Sequence, residues 1–155
     1  MLRRVFIAHA EHFLGVHETG PNRGPQVSRW LRRAGAPSGS PWCAAFVYSM
    51  LRNSGYAKTF RNAASCAGLI AHATDEGRVK LKPQAGDVVV FDWRDGGNTA
   101  DHCGIVKRVI RFGPVVTLTT IEGNTLGVGG KPDGVYRRRR LIARARLTVL
   151  RFWDS

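Results

Sequence analysis

Acidic side chains are scarce in this chain. Eleven Asp and Glu stand against 24 Lys and Arg in 155 residues, a formal net charge of +13 at pH 7. Glu11 and Glu18 are the only acids in the first 62 residues. Such a chain is drawn to polyanions: nucleic acid, lipopolysaccharide, teichoic acid, anionic lipid or acidic glycan. Cysteine is sparse too. Cys43, Cys66 and Cys103 are odd in number and show no C-x-x-C spacing, which excludes a paired disulfide framework and suits synthesis in a reducing compartment. No run approaches the ~20 apolar residues that span a bilayer. The apolar stretch near the N-terminus is broken by His9, Glu11 and His12, so a signal peptide is not expected. Helix-turn-helix spacing, zinc fingers and aromatic sheet signatures are all missing, and no specific nucleic-acid partner is expected. Without internal repeats or a low-complexity linker, residues 1–155 read as a single domain long enough to bury a core.

What is present changes character halfway along. Residues 3–14 place Leu2, Val5, Phe6, His9, Phe13 and Leu14 at spacings of three and four, predicting an amphipathic helix that ends near Gly15. A second helix is predicted over about 25–34, with Val27, Trp30 and Leu31 as its apolar stripe. After the breaker-rich loop Gly35 to Pro41, a third helix begins around Cys43 and closes at Asn53-Ser54-Gly55. A fourth covers roughly 63–73. Beyond the turn Pro83 to Asp87, strand runs are expected at 88–91, 103–110, 115–122 and 141–152. Helices first and antiparallel strands after is an α+β plan.

The chemistry concentrates at Cys43, His102, Glu122 and Asn124. A thiol at the mouth of a helix sits among unpaired N–H groups at the positive end of the dipole, which favours its thiolate. Pro41 suits the first helical turn. His102 opens an apolar strand after the turn-rich segment Arg94 to Asp101 and is the natural base. Strand alternation turns Cys103 the other way, into the core, so its adjacency does not make it a second nucleophile. Cys66, read as mid-helix, fits a small buried hydrophobe. Glu122 and Asn124 share a strand face by the same alternation, and either could accept the second imidazole N–H and fix the ring. Asp101 is a weaker orienter, and Asp92 stays open. His9, His12 and His17 with Glu11 offer too little ligand spacing for a metal, and no cofactor is expected. Arg137 to Arg140 reads as a solvated strand edge, a polyanion-attracting patch, or both.

Taken in order, these blocks resemble the CHAP domain family (cysteine- and histidine-dependent amidohydrolases/peptidases), relatives of NlpC-type wall hydrolases and distant kin of papain. The resemblance runs through Gly15-Val16-His17-Glu18, Pro41-Trp42-Cys43-Ala44-Ala45-Phe46-Val47 and Lys82 to Phe91. It continues through Asp101-His102-Cys103-Gly104-Ile105-Val106 to Ile121-Glu122-Gly123-Asn124, covering roughly residues 5–150. It implies a papain-like fold and a peptidoglycan hydrolase that cuts the amide between the glycan's lactyl group and L-alanine, or a stem or cross-bridge peptide bond. Cys43 would be the nucleophile, His102 the base and Glu122 the imidazole orienter, with Asn124 a further polar group of the site. Some family members carry a calcium site just before the cysteine, but Gly35 to Trp42 contains no acid, so none is expected there.

The expected partners are peptidoglycan, anionic envelope polymers attracted by the basic surface, and a holin-type pore that releases a phage-type lysin from the cytoplasm to the wall. A monomer is expected. An interbacterial amidase toxin, and a basic polyanion-binding module whose catalytic set is vestigial, are the alternative readings.

Overall fold

The computed structural model describes residues 3–93 and 100–153. Leu2 and the turn segment 94–99 lie outside the described residues. Four helices come first: α1 (Arg3–His12), α2 (Pro25–Arg33), α3 (Cys43–Asn53) and α4 (Cys66–Asp75). Six strands follow: β1 (Val79–Lys80), β2 (Val88–Phe91), β3 (His102–Phe112), β4 (Val115–Thr125), β5 (Gly134–Ala143) and β6 (Leu147–Leu150). They form one antiparallel sheet in the order β1-β6-β2-β3-β4-β5. The chain is an α+β protein with its helices packed on that sheet.

Helix α3 is the axis of the molecule. Nine consecutive residues, Cys43 to Leu51, are buried, and all but Ser49 and Tyr48 carry wholly apolar side chains or a thiol, as suits a helix enclosed by other elements. Trp30 of α2 lies against Trp42 (5.4 Å between centroids) and Phe46 (5.1 Å). On the other side α3 meets β4 so closely that a Cβ on Gly123 would stand 2.7 Å from the Cβ of Phe46 and 2.9 Å from the Trp42 ring. Each large apolar side chain enclosed here contributes about 1.5–3 kcal/mol of burial free energy. The start of α3, and with it Cys43, is therefore held against the sheet by packing from both sides.

Strand alternation divides the sheet into two cores. Val88, Val90, Cys103, Ile105, Ile121 and Val135 face the helices, while Val89, Phe91, Val106, Val116, Leu118 and Ile142 cluster on the other face. Asp87, fully buried at the foot of β2, ties the end of the chain to this sheet. Its carboxylate accepts from Arg151 Nε (2.8 Å) and Nη2 (2.9 Å), the Gln84 amide (2.8 Å) and Trp153 Nε1 (3.1 Å). No helix among the described residues is long and apolar enough to cross a membrane.

The run expected as one strand over 141–152 is divided. Strand β5 ends at Ala143, a 3-10 turn occupies Arg144–Arg146, and β6 pairs with β1 and β2 in the interior of the sheet instead of continuing the edge. Apolar periodicity continues across the turn, so it does not mark the change of partner. The short β1 was not anticipated. The arginines 137–140 lie on β5, which is an edge strand of the sheet as expected.

Candidate active site

Cys43 is the first residue of α3, preceded by Trp42 at the N-cap, with no side chain capping the helix. Its sulfur therefore lies where the first-turn N–H groups point and the helix dipole is positive. Pro41 stands just outside the helix instead of in its first turn. Trp42 is fixed in turn: its indole Nε1–H donates to Glu18 Oε1 at 2.8 Å, which gives Glu18, the last residue of the Gly15-Val16-His17-Glu18 block, a concrete positioning contact. The bound indole sets how the loop enters the helix.

His102 opens β3 next to Cys43. Its Nε2–H donates to Glu122 Oε2 at 2.9 Å, leaving Nδ1 as the ring nitrogen available to the thiol. Glu122 itself is fully buried, and four donor contacts make that possible. Besides His102, Arg140 donates from Nε to Oε1 (2.9 Å) and from Nη2 to Oε2 (2.5 Å), and Thr120 Oγ1 donates to Oε1 (2.6 Å). The guanidinium in turn lies over the rings of Phe91 (5.7 Å) and Trp93 (5.1 Å). Room for the carboxylate comes from Gly104, where a Cβ would sit 2.7 Å from Glu122 Cγ.

These contacts set the protonation states. Burial opposes the Glu122 charge, but Arg140 and then His102 and Thr120 outweigh it and lower the carboxyl to about 2. Burial likewise opposes a charged His102, yet its contacts with Cys43 and Glu122 raise it to about 9. Cys43 is held well below the ordinary thiol range by hydrogen bonds from Cys103 and Cys66, with His102 adding both a hydrogen bond and its charge against the cost of burial. These shifts all favour a thiolate facing an imidazolium, with a carboxylate behind it.

The three cysteines, far apart in sequence, converge. All are free and buried. Cys66 Sγ is 3.8 Å from Cys43 Sγ, and the three sulfurs lie within 4.8 Å of one another. Cys66 is the first residue of α4, capped by Ser65, and not mid-helix as the periodicity suggested. Cys103 does face the core, as alternation requires, and there it meets Cys43. Cys103 is raised well above the usual thiol range by Cys43, Cys66 and burial. For Cys66, the contact with Cys103 acts downward, but Cys43 and burial prevail and raise it. Both therefore stay protonated and act as donors to the Cys43 sulfur.

The strand alternation that was to place Asn124 beside Glu122 is broken by an irregularity in the β4–β5 ladder between Glu122 and Thr125. Asn124 adopts a left-handed backbone, φ 54°, and lines the cleft with Cys43 and His102, while Glu122 makes the contact to the imidazole. Asp101 Oδ2 accepts from the Trp93 amide (3.0 Å). His9 pairs with Ser54 (2.9 Å) and His17 with the Glu18 carbonyl (2.9 Å), so these histidines are not gathered into one site. Sequence reading missed Arg140. Its signal was the alternation within the arginine run: Arg137 turns to Glu11 on α1 (3.0 Å), so Arg138 and Arg140 must share the face of Glu122.

Two clefts meet at Cys43. One, of about 520 Å³, is lined mainly by small residues, among them Gly35, Ala36, Ser40, Ala64 and Cys66. The other, of about 360 Å³, is bordered by Trp93, His102, Asn124 and Arg140. Pro41, Cys43 and Asp101 border both. An extended substrate crossing from one to the other would present its middle to the sulfur.

A helix-start thiolate, a strand histidine and a buried carboxylate on an α+β fold define a class of cysteine–histidine hydrolases. The chain belongs to the CHAP domain family, whose model matches residues 35–124, more than half its length, and takes in Cys43, His102, Glu122 and Asn124. Members of this family are cysteine-dependent amidohydrolases/peptidases. Among solved structures the chain is similar to one titled "The crystal structure of Ly7917", with 15% identity and a TM-score of 0.36. The alignment covers 97% of this chain and 63% of that one, so the chain spans less than two thirds of that protein. No curated protein matches it.

Proposed function

We propose that this chain is a peptidoglycan hydrolase that cuts an amide bond, either N-acetylmuramoyl-L-alanine or a peptide bond of the stem or cross-bridge, through a thioester on Cys43. The observation that carries the reading is the placement of the Cys43 thiolate, backed by His102 and Glu122, where two open clefts join. In this mechanism the thiolate attacks the amide carbonyl, and N–H groups at the start of α3 receive the oxyanion. His102, already charged at neutral pH, gives its proton to the departing amine and leaves the acyl group as a thioester. The neutral imidazole then takes a proton from water, the hydroxide attacks the thioester, and a free carboxylic acid and the thiolate are released. Glu122, itself held by Arg140, keeps the ring in place throughout. Asn124 borders the cleft as a polar contact for substrate. The +13 charge concentrates the enzyme on anionic envelope polymers.

Wild type and Cys43→Ala, incubated with isolated sacculi, test this by mass spectrometry of the released fragments. Wild type alone should release product: stem peptides with a free L-alanine amine mark an amidase, and cuts within the stem or bridge mark an endopeptidase. Release that persists in Cys43→Ala refutes the thiol mechanism. Binding without release by either protein refutes the hydrolase and favours a polyanion-binding module.

A further inference from the structure

The proposed reaction needs one sulfur, yet three converge. Cys43, Cys66 and Cys103 come from the starts of α3, α4 and β3, and no pair forms a disulfide. A tetrahedral Zn²⁺ with bonds of about 2.3 Å to thiolates spaces its sulfurs about 3.8 Å apart. The Cys43–Cys66 separation is 3.8 Å, and Cys103 lies within 4.8 Å of both, a distance that a small side-chain rotation closes. Helix α3 and strand β3 are packed into the core, so the donors are held near this spacing before any ion arrives. The cleft of about 520 Å³ that borders Cys43 and Cys66 offers a route in.

We propose that the three thiols form a binding site for a thiophilic cation, Zn²⁺ above all, and that filling it silences the enzyme by taking the Cys43 sulfur out of use. The ion bonds to three thiolate sulfurs and the displaced thiol protons pass to solvent, with no change of oxidation state. Water or the neighbouring His102 supplies the fourth ligand. Soft sulfur donors select Zn²⁺, Cd²⁺ or Cu⁺ and disfavour Mg²⁺ and Ca²⁺, which take oxygen. Silencing rests on the proposed thiol mechanism; binding does not.

The test uses the 155-residue chain, reduced and metal-stripped, titrated with Zn²⁺ against a chromogenic chelator and with Cd²⁺ for sulfur-to-metal charge-transfer absorption. One equivalent should bind. Cys66→Ala and Cys103→Ala should each weaken binding by at least about tenfold, since even loss of an outer-shell partner commonly costs that much, and should reduce the charge-transfer band. Hydrolysis should stop at one equivalent of Zn²⁺ and return with excess chelator, each protein being compared with its own metal-free rate. Unchanged affinity in Cys66→Ala would overturn the proposal, because the ion would then be held without one of the three thiols that define the site. If Cys103→Ala does not fold, Cys66→Ala and the Cd²⁺ band decide. A protein that binds Zn²⁺ as described but never hydrolyses sacculi would keep the site and refute the thiol mechanism instead.

Discussion

Replacing Glu122 by Gln removes one charge and little volume from the centre of the site. In the wild type the carboxylate helps hold His102 at about 9, against 6.5 for a free imidazole. The loss of an opposite charge at hydrogen-bond distance lowers a partner's pKa by about 1–3 units, each worth about 1.4 kcal/mol. The sign follows directly. His102 must be protonated to assist the leaving amine, so wild-type hydrolysis should fall as pH rises through about 9. In Glu122→Gln that alkaline limb should move down by about one to two units. The acid limb, set by the Cys43 thiol while His102 stays charged, should not move up, because the change removes a negative charge and leaves the imidazolium in place. The active range narrows from the alkaline side.

Stability should fall with activity. Arg140 makes two hydrogen bonds to the carboxylate, and breaking a buried pair from one side costs about 3–5 kcal/mol. For a chain of this length that lowers Tm by about 6–20 °C. His102, raised on folding, adds stability that is complete below pH 6.5 and is lost as pH rises through about 9; the variant should show a smaller alkaline loss. The assay is the pH–rate profile on sacculi, with the rate of Cys43 alkylation by iodoacetamide against pH as a readout that needs no substrate. A folded Glu122→Gln protein whose alkaline limb stays near pH 9, and whose alkylation profile is unmoved, would refute the ion-pair reasoning.

Gly104→Ala places a methyl 2.7 Å from Glu122 Cγ, so it should cost about 1–3 kcal/mol by overpacking and cut hydrolysis through a displaced His102; a turnover rate equal to wild type would mean the carboxylate can move freely. Asp87→Asn breaks the buried pair with Arg151 far from Cys43. It should lower stability by about 3–5 kcal/mol in denaturant melts while the folded fraction keeps its activity. Raising ionic strength toward 0.5 M shortens the screening length to about 4 Å and should weaken sedimentation with sacculi. Arg137→Glu/Arg139→Glu, on the exposed edge of β5, should weaken it at low salt, and salt-independent binding would argue against electrostatic capture.

The elements that position the site were largely legible because local signals announce them. Breakers before Cys43 and an uninterrupted apolar run after it predict the buried α3, and alternation along β3 separates His102 from Cys103. Where prediction failed, the deciding contact was non-local. Asn124 left the face of Glu122 because β4 departs from its ladder with β5, and nothing near residue 124 reports the register of a partner strand. Cys66 looked inert because its polar partner lies 23 residues away. Arg140 looked like one of four solvated arginines because its partner carboxylate lies on the neighbouring strand.

These non-local contacts share a physical requirement. A carboxylate with no exposure survives folding only when its oxygens are fully bonded, and His102 alone cannot satisfy both oxygens of Glu122. Arg140 and Thr120 complete the set, which lets a charge stand behind the imidazole without water. The thiol side shows the same arrangement: Cys66 and Cys103 direct S–H groups at a buried sulfur that would otherwise resist ionisation. The reactive pair is thus charged because a second layer, drawn from α4, β3, β4 and β5, satisfies what burial would otherwise leave unpaired. The same layer supplies the two extra thiolates a zinc ion needs, so the cluster that favours a reactive Cys43 also exposes it to capture by the metal.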